Sequence, residues 1–205
     1  MSELIELQPG QNHPHLVQIV VDSLRLGAVI AYPTDSGYAL GCALRQGEAL
    51  ERIRQIRELD LYHNFTFICR DIAEVSKYAK IDTVAFRILK RLTPGGYTFI
   101  FKATREVPNL VLSKRDTIGI RIPDHPIPLL IAEHLQEAFL STTLILPGHE
   151  APLLEVEEVS DALSDHIDLI IDGGYAGFEP TSIVDLSGEV PVILRRGSGE
   201  VHEFE

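Results

Sequence analysis

Four short segments of this chain gather hydroxyls, glycines and single cations at the ends of apolar runs. They are Pro33-Thr-Asp-Ser-Gly-Tyr-Ala-Leu-Gly41, Thr117-Ile-Gly-Ile-Arg-Ile-Pro-Asp-His125, Ser141-Thr-Thr143, and Pro180-Thr-Ser-Ile-Val-Asp-Leu186 with Leu194-Arg-Arg-Gly197. Such residues hold anions. Hydroxyls suit phosphate and ribose oxygens, a guanidinium grips a carboxylate or phosphate with two donors, and strand ends are where α/β folds place ligand clefts.

Each segment also has a plainer reading. Thr34, Asp35 and Ser36 beside Gly37 have the composition of an ordinary turn. Arg121 stands in an apolar β-branched run, so its head either snorkels to water or enters a polar cleft. A buried guanidinium needs an anionic partner, which is a ligand or an aspartate such as Asp35 or Asp185. The hydroxyls of Ser141 to Thr143 fit a strand end that touches phosphate, or a turn. Arg195 and Arg196 precede Gly197, which reads as a two-cation phosphate clamp.

The elements that must position these groups are short and mixed. Leu16, Ile19, Val20 and Leu24 recur at helical spacing, with Asn12 as N-cap, Pro14 in the first turn and Gly27 at the C-terminal end. Ala28–Tyr32 reads as a buried strand ending at Pro33, Gly47–Glu58 as an amphipathic helix, Phe65–Cys69 as a strand and Val84–Leu92 as a helix. Tyr97–Ala103 and Thr117–Ile122 are strands of good β-formers. A helix from about Pro126 to Gln136 precedes the strand Phe139–Leu144, and acidic Glu155–Asp165 reads as a solvated helix. Asp168–Ile171, Ser182–Leu186 and Val190–Leu194 complete the strands. The expected fold is one α/β domain over 1–205, a mixed, twisted open sheet flanked by helices.

Composition narrows the function classes. With 205 residues, 45% hydrophobic and 23% charged, the chain is globular and long enough for one good core. Cys42 and Cys69 lie in apolar stretches without CxxC spacing, which predicts two buried thiols in a reducing compartment. Glu3 and Glu6 interrupt any leader-like start and the apolar runs are too short to span a membrane, so the expected location is the cytoplasm. A net charge of −12 counts against a strong, sequence-independent grip on nucleic acid but leaves room for a local basic cleft. Although eight histidines are present, His13-Pro-His15 lacks a nearby acid and nothing matches HExxH, so no protein-built metal site is expected.

Taken in order, these segments resemble the YrdC-like family, in wording closest to its YciO branch, over about residues 10 to 200. The likeness is carried by 32–41, His-Asn-Phe-Thr 63–66, Thr-Pro-Gly 93–95 leading into 97–102, 117–125, Leu-Ser-Thr-Thr 140–143 and 180–186. The resemblance implies a YrdC-like fold. It also implies an enzyme chemistry: threonine, bicarbonate and ATP are joined into threonylcarbamoyl-AMP with release of pyrophosphate, for N6-threonylcarbamoyl modification of tRNA adenosine. Thr34, Ser36, Arg121 and Thr181 would face the amino acid. Thr117, Ser141, Thr143 and Arg195 would hold the nucleotide, with Mg²⁺ carried by ATP, and Arg57 would share the positioning with Arg121. No protein nucleophile is required.

Two departures from the enzyme pattern alter what the likeness implies. Where the enzymes carry Lys-x-Arg, this chain has Arg57 and Leu59, so one cation is missing unless Arg54 or Arg70 replaces it. Where they carry an asparagine after the Ser-Thr strand, it has Ile145. Each lost contact to phosphate costs about 1.5–3 kcal/mol, roughly ten- to a hundredfold in transition-state binding. The sequence therefore implies a weakened or altered nucleotidyltransferase, or a nucleotide- or RNA-binding module with little turnover. Family members are proposed to bind double-stranded RNA through a basic concave face, for which −12 is unfavourable.

Overall fold

In the computed structural model, residues 1–8, 10, 13–61, 63–111 and 115–205 are described, and their strands form a single sheet. In chain order these are β1 (Glu3–Glu6), β2 (Ile30–Thr34), β3 (Gly37–Ala43), β4 (Thr66–Ile68), β5 (Tyr97–Lys102), β6 (Thr117–Arg121), β7 (Phe139–Thr143), β8 (Leu169–Asp172), β9 (Ser182–Asp185) and β10 (Val192–Arg195). The helices are α1 (Pro14–Arg25), α2 (Gly47–Arg57), α3 (Ile72–Tyr78), α4 (Thr83–Leu92), α5 (Pro126–Leu135) and α6 (Val156–Leu163). The strand order β1-β8-β2-β3-β7-β4-β6-β5-β9-β10 mixes parallel pairs such as β4/β6 and β5/β9 with antiparallel ones such as β3/β7 and β5/β6. This is the expected open mixed sheet with helices on both faces. None of the helices among the described residues is long and apolar enough to cross a membrane.

Side-chain alternation divides the sheet between stability and chemistry. Along β5, Tyr97, Phe99 and Phe101 are buried, while Thr98 and Ile100 are half-buried and Lys102 is exposed. Along β6, Ile118 and Ile120 join those aromatics and Phe67 in one core, against Leu50 and Ile53 of α2, Val75 of α3, Leu89 of α4 and Val159 of α6. Truncating one such buried phenylalanine to alanine costs about 3–5 kcal/mol. The opposite face is only half covered. There α1 and α5 press Val20, Val21, Leu24, Ile131 and Leu135 onto Ile30, Tyr32, Phe139 and Ile68, and this second core takes nothing from β5, β6 or β9. The helix layer ends at β4, and beyond it the sheet face is open.

Several local expectations need correction. Gly37–Ala43, for which no element was expected, is a strand whose every residue is buried. Lying between β2 and β7, it shows a continuous run instead of alternation, and three of its features, Gly37, Gly41 and the hydroxyl turn before it, imitate a loop. Its first residue has φ +100, and a Cβ there would stand 2.6 Å from the Pro152 ring, so only glycine fits. Pro33 does not end β2. It pairs with Tyr38 of β3 and lies past the last β8 partner, Ala31, where a missing N–H leaves no ladder bond unmade. The core face of α1 is Val17, Val20, Val21 and Leu24, with Leu16 and Ile19 half-buried beside it. Asn12, expected as the cap, lies outside the described residues, and His13 occupies the cap position. Two short elements carry too little pattern to be foreseen: β1, and α3, whose cap Asp71 accepts the Glu74 N–H at 2.8 Å.

Candidate ligand cleft

Arg121 ends β6 on the open face and is only 7% exposed. One Nη donates to Ser36 Oγ at 2.9 Å, and the other donates to Asp35 Oδ1 in a salt bridge. Its Nε is buried with no partner. Of the two aspartates considered for Arg121, Asp35 is therefore the one that pairs. The backbone N–H of Asp124 holds the other Asp35 oxygen at 3.3 Å. Thr34 Oγ1 donates to the Gly37 carbonyl at 2.7 Å and accepts the Ser36 N–H at 3.0 Å, which fixes the turn. Burial pulls the Arg121 pKa down against the pull of Asp35, yet a guanidinium stays charged.

In front of Arg121 lies a cavity of about 200 Å³, walled by Ser141, Thr142, Thr143, Thr181 and Arg195. It adjoins a second, more apolar pocket of about 270 Å³ formed by Ile100, Thr117, Ile118, Gly119 and Leu194. Asn64, Thr66, Thr98 and Ile183 border both, so the two are halves of one cleft. Strand register builds its floor as a straight row, Ser141 opposite Thr66, Thr66 opposite Gly119 and Gly119 opposite Ile100. Ser141 is bonded from the side by the Tyr32 hydroxyl at 2.5 Å. To reach it, Tyr32 crosses over Gly41, where a Cβ would lie 3.0 Å from its Cε1.

Two further cations approach from opposite sides. Arg195 donates to the Thr181 carbonyl at 2.8 Å and to Thr181 Oγ1 at 2.9 Å, while Thr98 and Thr181 share a hydroxyl bond of 2.9 Å. Arg57 donates to Thr142 Oγ1 at 3.2 Å and to the Thr143 carbonyl, and its Nε is buried and unpartnered. Among the described residues neither arginine has a carboxylate in salt-bridge range. Burial lowers the pKa of both, and for Arg195 the charge of Arg121 adds to it. His63 Nε2 stands 3.1 Å from Thr142 Oγ1. Burial first, and then the charges of Arg57 and Arg54 against that of Asp60, hold His63 below its ordinary 6.5.

Of the residues expected in the site, Arg121, Ser141, Thr143, Thr181 and Arg195 share the polar cavity and Thr117 lines the adjoining pocket. Arg57 reaches the rim through Thr142 and Thr143. Thr34 and Ser36 are buried behind Arg121, on its Asp35 side. Arg196 does not double the clamp: it pairs with Glu205 at 2.7 Å in solvent, because alternation sends it away from Arg195. Gly197 is required all the same, since a Cβ would lie 2.1 Å from the Pro180 carbonyl. The missing cation is not supplied by the arginines considered for it. Arg54 lies over the Phe65 ring at 5.5 Å and Arg70 pairs with Asp71 at 3.1 Å. Leu59 packs against the core. Thr66 and Thr98 also line the cleft, although neither was among the expected site residues. Their signal was a single threonine at alternate positions in otherwise aromatic and aliphatic strands.

The Sua5_yciO_yrdC family model, described as telomere recombination, matches residues 22–197. The chain is 48% identical over 205 residues to uncharacterized protein YciO of Escherichia coli strain K12, covering all of both. It superposes on the crystal structure of E. coli YciO with a TM-score of 0.94 over 100% of each chain. A threonylcarbamoyl-AMP synthase of Vibrio vulnificus strain YJ016 is 29% identical over 185 residues, 88% of this chain and 98% of that one. The P. abyssi Sua5 structure complexed with L-threonine shares the fold, with a TM-score of 0.87 at 24% identity over 96% of this chain and 58% of the other.

Proposed function

The chain belongs to the Sua5/YciO/YrdC family, and from that premise we propose that its cleft binds ATP beside threonine or a closely related amino acid. In this reading the amino acid, bicarbonate and ATP are joined into a carbamoyl-adenylate of the threonylcarbamoyl-AMP type, with pyrophosphate released. The observation that carries it is the pair of half-buried Arg57 and more exposed Arg195, both without carboxylate partners among the described residues, at the edge of a polar cavity that opens into an apolar pocket. A guanidinium whose Nε is buried without a hydrogen-bond partner, as in Arg57, calls for an anion, and the apolar half fits a nucleoside.

The residues then take simple roles. Arg121, braced by Asp35 and Ser36, meets the amino-acid carboxylate, with Thr181 beside it and Thr34 keeping the turn rigid. Ser141, Thr143 and Arg195 meet phosphate oxygens, Thr117 the nucleoside end, and Arg57 the charge developing near α-phosphate. Mg²⁺ arrives with ATP. One carbamate oxygen attacks the α-phosphorus, an O–P bond forms, and the bond to pyrophosphate breaks. The protein contributes alignment and charge compensation. With Leu59 and Ile145 at two contact positions, turnover is expected to be slow or the amino acid to differ from threonine. A product of this kind would serve tRNA threonylcarbamoylation in the cytoplasm.

Pyrophosphate release from ATP with bicarbonate and threonine, in wild type and Arg121→Ala, tests the reading. Release in wild type that disappears in the variant supports it. No release, with ATP still bound by calorimetry, would assign the pocket to another substrate. Binding that collapses steeply with salt would instead favour RNA, because phosphate-backbone affinity falls with counterion release.

A further inference from the structure

We infer that Thr142 and His63 form a proton relay serving carbamate formation in this cleft, with Thr142 touching the amino group and His63 acting through it. The inference rests on the reading above for its substrate and names a step that reading leaves open. Joining an ammonium group to bicarbonate forms a C–N bond, breaks a C–O bond, expels water and liberates one proton per carbamate. Something in the cleft must accept that proton before the carbamate oxygen turns to phosphorus. Arg121 and Arg195 are permanent cations, and the other wall groups named above are hydroxyls, an amide and aliphatic chains. Among the described residues named in the wall, the His63 imidazole is the group that can take up a proton.

The hydrogen-bond inventory of Thr142 supports the direction of transfer. A threonine hydroxyl has one proton and two acceptor lone pairs. Arg57 Nη1 occupies one lone pair at 3.2 Å. In the relay the proton points at His63 Nε2, 3.1 Å away, and the second lone pair remains for a substrate N–H on the cavity side. That direction requires the Nδ1–H tautomer of His63, with Nε2 bare. Its ring is fixed edge-on to Phe65, with centroids 5.2 Å apart at 84°. The charged groups bearing on it are Arg57 and Arg54 from α2 and Asp60 from the loop after it, with Arg121 and Arg195 lining the same cavity. The cations favour the neutral ring, ready to accept. In the step itself the substrate nitrogen gives its proton to Thr142 Oγ1 as the Thr142 proton passes to Nε2, and the resulting imidazolium returns it to the departing pyrophosphate or to water.

Two measurements test this. In long-range ¹H–¹⁵N spectra of the wild-type protein, the His63 ring should show the Nδ1–H tautomer, and its titration midpoint should rise when threonine and bicarbonate are added together without ATP. In pyrophosphate-release assays across pH, His63→Gln and Thr142→Val should lower kcat about a hundredfold at neutral pH. Both should lose the acidic limb of the wild-type profile, with KM values little changed. A ring found as the Nε2–H tautomer overturns the relay whether or not the protein turns over. So does a His63→Gln variant that keeps the acidic limb, or one that loses only KM. If the ring responds as expected and pyrophosphate never appears, the relay stands and the ATP-dependent half of the proposed function fails.

Discussion

The Asp35–Arg121 pair offers a quantitative test of how the cleft is held together. The side chains of Arg121 and Asp35 are 8% and 18% exposed, so this pair is mostly out of water. Two opposite charges about 4 Å apart at an effective dielectric near 20 interact by about 4 kcal/mol. Removing one partner of such a pair while the other stays buried costs about 3–5 kcal/mol. Asp35→Ala should therefore lower the stability by that amount, which for a chain of this size is a fall in Tm of roughly 6–20 °C. The double variant Asp35→Ala/Arg121→Met should be more stable than Asp35→Ala alone, because the stranded charge has gone with its partner. Urea unfolding followed by circular dichroism, with equal m-values across the set, measures both quantities. A single-variant cost below about 1 kcal/mol, the level of a surface ion pair, would mean that this pair does not hold the cleft together. So would strictly additive costs, since contacting residues are expected to couple.

Other outcomes follow from features away from that pair. Gly41→Ala places a methyl 3.0 Å from Tyr32 Cε1 and 3.2 Å from Phe139 Cε2; it should cost about 1–3 kcal/mol and weaken ATP binding by pushing Tyr32 off Ser141, both readable by unfolding and calorimetry. Glu74 is fully buried with one oxygen lacking a hydrogen bond and 4.0 Å from Arg70 Nε, and desolvation raises its pKa above 4.5. The folded state then binds more protons than the unfolded one, so this group's contribution is greatest at low pH and declines as pH rises from 4.5 through the raised value. In Glu74→Gln that part of the pH–stability slope should vanish from a series of urea midpoints. Cys42, at 0% exposure, has its thiol pushed up to about 12 by burial, and Cys69 is raised too. Neither should react with a thiol reagent at pH 8 until the protein is unfolded, and rapid labelling of the native form would contradict the buried placement.

What the sequence made legible was whatever carried a strong period or an odd residue in a plain context. Arg121 was conspicuous as a cation in an apolar strand, and the strand alternation of Thr117–Arg121 already put it on one face with Thr117 and Gly119. The hydroxyls of Ser141 and Thr143 and the cation Arg195 stood out likewise, and all three line the polar cavity. What stayed hidden depended on pairing across distant segments. Nothing local in Gly37–Ala43 distinguishes a central strand from a glycine-rich loop, because burial on both faces erases the alternation that marks a strand. Nothing local says that Thr66 and Thr98 face the same cavity, since their meeting requires β6 to lie between β4 and β5. Arg57 and His63 were visible as residues, but their convergence on Thr142 belongs to the packing of a helix end and a loop against β7.

The half-covered sheet also bears on how such a protein can change its chemistry over time. On β4, β5 and β6 the residues that keep the molecule folded and those that greet a ligand occupy alternate places, and the second set has little to do with the first. Thr66, Thr98 and Gly119 can be exchanged for other small or polar groups while Phe67, Phe99 and Ile118 remain as they are. A chain built this way can drift toward a new substrate one floor position at a time without passing through an unfolded intermediate sequence. The same property recommends those three positions for a combinatorial library, since a library there would sample selectivity while leaving the core untouched.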